Sequence, residues 1–220
     1  CGYPQTAGGD ARRGTQISTD NQVLMHRIAN TLSYLDIRTI IVSCGTCLDQ
    51  LLKYQLQQIF PHCRTMDIHE FLLEKEVTLE SKGKKYLYHD PCHSPMKHHD
   101  PVNVASTLLG AEVMLSDRCC GESGTFAISR PDIATQVRYR KQDELFSNIE
   151  ALTGKPGKAN DIKILTSCPS CQQGMARYEK STGLGTDYIV VELAASILGE
   201  NWMQTSAEEI RSRGIDRVLL

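Results

Sequence analysis

Eight of the nine cysteines in this chain of 220 residues fall into short motifs. Cys92 follows His89-Asp90-Pro91, Cys119 and Cys120 are adjacent and precede Gly121, and Cys168 and Cys171 form a CxxC pair. A partial copy lies upstream, as Cys1-Gly2 and a second CxxC pair, Cys44 and Cys47. The thiolate is the form that binds metal, and many thiolates with this spacing suit a soft centre. Zinc takes four ligands in a tetrahedron, so the five cysteines of the later set exceed its need. Adjacent cysteines chelate one small ion awkwardly but reach two different atoms of a cluster. An iron–sulfur cluster is the favoured chemistry for Cys92, Cys119, Cys120, Cys168 and Cys171, with zinc as the alternative. The earlier set, Cys1, Cys44 and Cys47, is open to zinc, a cluster or neither. The two sets outline two sites. A disulfide framework belongs to small secreted domains with poor cores, and both the odd count and the CxxC pairs argue against it.

The remaining polar features are weaker signals. Cys63 fits neither set and reads as a buried free thiol. His93, His98 and His99 crowd near Cys92, where they tune a centre or are simply satisfied loop residues. His89 and Asp90 read as hydrogen-bonding neighbours of the ligands rather than ligands. Glu122 can carry a proton beside Cys120, or serve no such role. Arg138, Arg140 and Lys141 read as a solvated basic face, with a docking surface as the alternative. No phosphate-binding glycine pattern occurs.

Strands and helices alternate to position these residues. Short apolar runs at 38–43, 85–89, 111–115, 162–166 and 186–191 suit buried parallel strands. Helical spacing of apolar residues marks 20–35, 47–60 and 132–152 as helices, the second stopped by Pro61 and the third by Gly154. Each CxxC falls where a strand ends and a helix begins. The carboxyl ends of parallel strands are where ligands bind in such sheets, and a helix N-terminus favours thiolate. The expected fold is therefore α/β, with two pseudo-repeated Rossmann-like halves, parallel sheets and cysteines at the strand C-terminal ends. In both halves a Cys-Gly turn precedes a long helix, a strand, CxxC and another helix. The halves span residues 1–80 and 81–220, divided where Ser, Gly and Lys cluster.

Hydrophobic content of 40% and charged content of 23% are those of an ordinary globular protein. A net charge of −2 and a pI near 6.4 give no reason to expect nucleic acid as a partner. No apolar run is long enough to span a membrane, and no signal peptide opens the chain. The chain begins at Cys1, inside a motif, and reads as a piece of a longer polypeptide.

The segments HDPCHS, RCCGESGT and SCPSC, with CGYP and SCGTC upstream, resemble the cysteine-rich CCG domain family. That family includes subunits of heterodisulfide reductase and of anaerobic glycerol-3-phosphate dehydrogenase, and the glycolate oxidase iron–sulfur subunit. The likeness is nearest to the C-terminal region of fused FAD-linked oxidase and iron–sulfur proteins. It implies an iron–sulfur cluster, of [4Fe–4S] and in some members noncubane type, held by Cys92, Cys119, Cys120, Cys168 and Cys171. It also implies electron transfer from a flavin-containing domain or subunit towards a further acceptor, beside other iron–sulfur modules. A cytoplasmic setting, or one at the inner face of the membrane, goes with that role. Two other functions remain open: a cluster-based disulfide reductase, and a structural zinc module serving interaction only.

Overall fold

The computed structural model describes residues 1–80, 83–122 and 126–213. A short helix, α1 (Tyr3–Ala7), leads into the long α2 (Ala11–Thr31), capped by the Asp10 carboxylate accepting from the Arg13 N–H at 2.9 Å. Strand β1 (Thr39–Val42) is followed by α3 (Gly45–Leu52), and β2 (Arg64–Asp67) by α4 (Ile68–Glu74). Then come β3 (Lys85–His89), α5 (Pro101–Leu109), β4 (Glu112–Leu115), α6 (Phe126–Ser129) and α7 (Pro131–Thr153). The last elements are β5 (Lys163–Thr166), α8 (Pro169–Ala176), α9 (Glu179–Thr182), β6 (Gly185–Tyr188), α10 (Ile189–Leu198) and α11 (Trp202–Arg213).

Every strand pairing is parallel. One sheet holds β1 and β2, and the other has the order β4-β3-β5-β6. The protein is thus an α/β molecule with parallel sheets. Alternation along the strands sorts side chains to two faces. Leu87 and Ile164 pack with Leu145 and Ile149 of α7 on one face. Tyr86, Tyr88 and Leu165 meet Val104 and Leu108 of α5 and Ile189 and Leu193 of α10 on the other. A third cluster, around Tyr54, Leu56, Phe60 and Cys63, joins Met25 and Ala29 of α2 to the β1–β2 pair.

Several expectations change. The helix at 47–60 stops at Leu52, and a 3-10 turn at Leu56–Gln58 follows Gln55, whose φ is 51°. The apolar spacing that suggested one helix comes from two pieces sharing a core. The strand at 186–191 ends at Tyr188, and Ile189, Val190 and Val191 open α10 instead. The helix at 20–35 begins earlier, at Ala11. Strand β2 and helices α4 and α5 had no reading in the sequence. Lys141, grouped with a solvated basic face, is wholly buried.

The two strand–CxxC–helix segments take the same local form. Cys44 caps α3 at φ −143°, ψ 125°, and Cys168 caps α8 at φ −141°, ψ 127°. Gly2 and Gly121, each following a cysteine, both adopt positive φ, 78° and 73°. A side chain at Gly2 would lie 2.2 Å from the Gly14 carbonyl, so only glycine lets Cys1 sit against α2.

Candidate metal centre

Seven of the eight motif cysteines line one cavity of about 350 Å³. Cys1, Cys44 and Cys47 lie within residues 1–80, and Cys92, Cys120, Cys168 and Cys171 beyond them. The sequence outlined two sites, whereas the fold sets both groups of cysteines around one opening. The eighth, Cys119, does not line this cavity. It borders a neighbouring hollow of about 420 Å³ with Asp90, Asp100 and Asp117, and Cys92 belongs to both spaces. The vicinal pair therefore differs in exposure, Cys120 buried and Cys119 exposed. All nine cysteines are free thiols.

All of these cysteines but Cys1 follow a strand end. The Cys92 loop follows β3, Cys119 and Cys120 follow β4, and the CxxC pairs follow β1 and β5. Thr166 Oγ1 donates to the His89 carbonyl at 2.9 Å, and the Tyr88 hydroxyl lies 3.0 Å from both Ser167 Oγ and Asp90 Oδ1. These bonds clamp the ends of β3 and β5 together beneath the cavity. Gly174 of α8 lies against Cys120, where an added methyl would meet Cys120 Cβ at 3.2 Å. Cys1 is tied in by Ser18 Oγ, which donates to its carbonyl at 3.0 Å.

The sulfurs compete for protons. Cys120 Sγ and Cys171 Sγ are 3.5 Å apart. Two thiolates on one tetrahedral metal, each about 2.3 Å from it, would stand about 3.8 Å apart. Hydrogen bonds from the Cys119 and then the Cys171 thiol hold Cys120 far below the usual thiol range, against the effect of burial. Cys171 is pushed up because it donates to Cys120 and Cys168. Cys168 falls to about 6, chiefly through the Cys171 thiol and then through the N–H groups of Cys171 and Ser170 at the start of α8. In the first half, burial and the neighbouring Cys44 raise Cys47. Sulfurs that share protons at this spacing are a donor set that a soft cation satisfies by displacing those protons. The residues present fit a thiolate-bound metal or cluster.

The flanking polar residues separate into distinct roles. His93 borders the cavity, with Nδ1 2.6 Å from Asp49 Oδ2, and Lys97 lies 2.9 Å from the same carboxylate. His98 and His99 are exposed, and their backbone N–H groups donate to Glu70 Oε1 at 2.7 and 3.1 Å, so they anchor the loop. Glu122 is paired with Arg177 at 2.7 Å. Cys63 is buried in the third core cluster, away from the cavity lining. His89 is the residue the motifs underrated: a ring nitrogen of His89 and the Cys120 and Cys171 sulfurs all lie within 4.8 Å of one another. Its signal in the sequence was its place at the end of a strand, three residues before Cys92. Behind it, Lys141 is buried, which lowers its pKa, and Glu144 2.8 Å away opposes that fall. Residues 123–125, part of the RCCGESGT motif, lie outside the described residues.

Residues 86–176 match the cysteine-rich CCG domain, and residues 176–220 match a domain of unknown function, DUF3400. The segment from Tyr86 to Ala176, with Cys92, Cys119, Cys120, Cys168 and Cys171, is thus a CCG domain. The chain is 25% identical over 155 residues to a fumarate reductase (CoM/CoB) subunit of Methanothermobacter marburgensis, covering 67% of the chain and 29% of that protein. It is 33% identical over 120 residues to the glycolate oxidase iron-sulfur subunit of Escherichia coli, covering 50% of the chain and 26% of that protein. An uncharacterized iron-sulfur protein of Methanococcus maripaludis is 24% identical over 205 residues, covering 88% of the chain and 37% of that protein. The chain spans only 26–37% of the length of these relatives. No solved structure matches it significantly. Among the described residues no helix is long and apolar enough to cross a membrane.

Proposed function

We propose that this chain is an iron–sulfur electron-transfer module of an FAD-linked oxidoreductase. Residues 1–80 and 81–220 form two CCG units in this reading, and Cys92, Cys119, Cys120, Cys168 and Cys171 hold a [4Fe–4S]-type cluster. Cys1, Cys44 and Cys47 complete the opposite wall and bind zinc or part of a second cluster. When bound, the cluster supplies one-electron redox chemistry. The protein gathers the thiolates, excludes water from Cys120 and Cys171, and sets the surrounding charge. A flavin-bearing domain or subunit oxidises a small substrate such as a 2-hydroxy acid, and further iron–sulfur modules carry the electrons onward. The observation carrying this reading is that seven cysteines line one cavity.

Anaerobic purification followed by iron, acid-labile sulfide and zinc analysis, with Mössbauer spectroscopy, tests it. Iron and sulfide in stoichiometric amounts are expected, and zinc alone would overturn the proposal in favour of a structural metal module. A second reading, cluster-based disulfide reduction, is favoured by the cavity itself, whose volume of about 350 Å³ is within the range of small-ligand sites. Turnover of a small disulfide with an artificial electron donor would select it over pure relay.

A further inference from the structure

Behind Cys120 the chain has built a support that the cysteine motifs do not require. His89 ends β3 with only 2% of its surface exposed. Its Nδ1 lies 3.2 Å from the Ser116 carbonyl oxygen and 3.4 Å from Lys141 Nζ. An ammonium has three protons to give and accepts none. Lys141 has three closer acceptors: the Ser116 carbonyl at 3.0 Å, Ser116 Oγ at 2.7 Å and Glu144 Oε2 at 2.8 Å. No proton is left for His89. Its remaining partner on that side is a carbonyl, which only accepts. Nδ1 therefore carries the ring proton and donates it to Ser116, and in the neutral ring Nε2 is a bare lone pair.

That Nε2 is buried and has no hydrogen-bond partner among the described residues. A buried acceptor left unmatched is costly, so its persistence calls for a ligand. A ring nitrogen of His89 lies within 4.8 Å of the Cys120 and Cys171 sulfurs, two residues that border the cavity, and with Nδ1 turned to Ser116 it is Nε2 that is left for them. We infer that His89 ligates the metal centre directly through Nε2, as a nitrogen donor among the thiolates. An imidazole whose other N–H is given to a backbone carbonyl is the usual arrangement of a metal-bound histidine. The opposite role, donating a hydrogen bond to the Cys120 thiolate, needs either a second ring proton beside the buried Lys141 ammonium or a bare Nδ1 facing a carbonyl lone pair. Both are disfavoured by like-charge or lone-pair repulsion. A neutral imidazole brings no negative charge, so a centre with one nitrogen donor among its ligands has a higher reduction potential than one held by thiolates alone, as in Rieske centres.

The inference rests on the reading that this cavity binds metal, and it extends that reading by one ligand. Anaerobically reconstituted protein is prepared with natural-abundance and with ¹⁵N-labelled histidine, reduced to a paramagnetic state, and examined by pulsed EPR. A strongly coupled nitrogen that changes with the label, survives His93→Ala and disappears in His89→Ala is expected. Absence of such a nitrogen in the unsubstituted protein would overturn the inference, as would its persistence in His89→Ala. Where His89→Ala does not fold, absence of the nitrogen from the labelled unsubstituted protein, or its loss in His93→Ala, still overturns the inference, and its survival in His93→Ala supports it. If the protein holds zinc and no iron, the iron–sulfur proposal fails and histidine ligation is read separately. Long-range ¹H–¹⁵N correlation of the zinc-loaded sample then shows either a metal-shifted Nε2 of His89, supporting the inference, or an unligated one, ending it.

Discussion

Gly45 offers the sharpest test of how the first CxxC helix meets the Cys92 loop. A β-carbon built at this position would lie 1.7 Å from the His93 carbonyl oxygen, 2.7 Å from its carbon and 2.9 Å from the Pro95 nitrogen. All three are backbone atoms of the Cys92 loop, so no side chain can rotate out of the way. Reaching an ordinary contact near 3.4 Å requires α3 and that loop to separate by about 1.7 Å. Overpacking of this kind costs about 3 kcal/mol. The better helix propensity of alanine returns at most about 1 kcal/mol, so the clash wins. Gly45→Ala should therefore lose about 2 kcal/mol in urea denaturation and bind less metal, because Cys44 and Cys47 move with α3. Gly185→Ala is the control: its β-carbon meets only Lys163 Cγ at 3.6 Å, and it should be close to neutral. If the two variants unfold alike and load metal equally, the direct contact between the first CxxC helix and the Cys92 loop is wrong.

Three further outcomes are expected. Cys120→Ser should abolish the visible absorption of the anaerobic protein, whereas Cys63→Ser should keep it and lose about 1–2 kcal/mol by placing a hydroxyl in an apolar cluster; absorption that survives in Cys120→Ser would remove that residue from the ligand set. Burial alone would push Glu144 and Glu192 up, but Lys141 for the first, and Lys163 with Tyr86 for the second, hold both below the ordinary 4.5. Such carboxylates add stability that is full above their unfolded pKa and lost as pH falls through the lowered folded value, so the urea midpoint should drop below pH 4.5, and less steeply in Glu192→Gln; a midpoint that rises on acidification would contradict this. Lys141→Met should lose about 3 kcal/mol in the same denaturation assay, because it strands Glu144 beside Ser116 without its cation; an unchanged midpoint would show that the buried pair contributes nothing.

The sequence was most readable where chemistry and period agree. Strand β3 has the expected bounds because Tyr86, Leu87 and Tyr88 are apolar on both faces and Asp90-Pro91 ends the run. The placement of both CxxC pairs between strand and helix followed from the same agreement. Strand β2 was invisible because Arg64, Thr65 and Asp67 are polar, and only pairing with β1 makes it a strand. Ile189, Val190 and Val191 have strand-like side chains, yet packing against α5 makes them helical, which is tertiary context overriding propensity. Lys141 looked solvated because its partners, Ser116 and the carbonyl beside it, belong to a loop that only the fold brings near. Convergence of the two cysteine sets was hidden for the same reason: spacing along a chain says nothing about which sheet edges will face each other.

The opening bounded by both cysteine sets has two parents, and that limits how the chain can change. Thr46 of α3 and Pro169 of α8 are far apart in the chain and border the same space. A bulkier residue at either one narrows the room in front of sulfurs contributed by the other. The stretches around residues 44–47 and 168–171 must therefore drift in step, and a chimera that borrows one of them from a distant relative would import a wall shaped for a different opposite number.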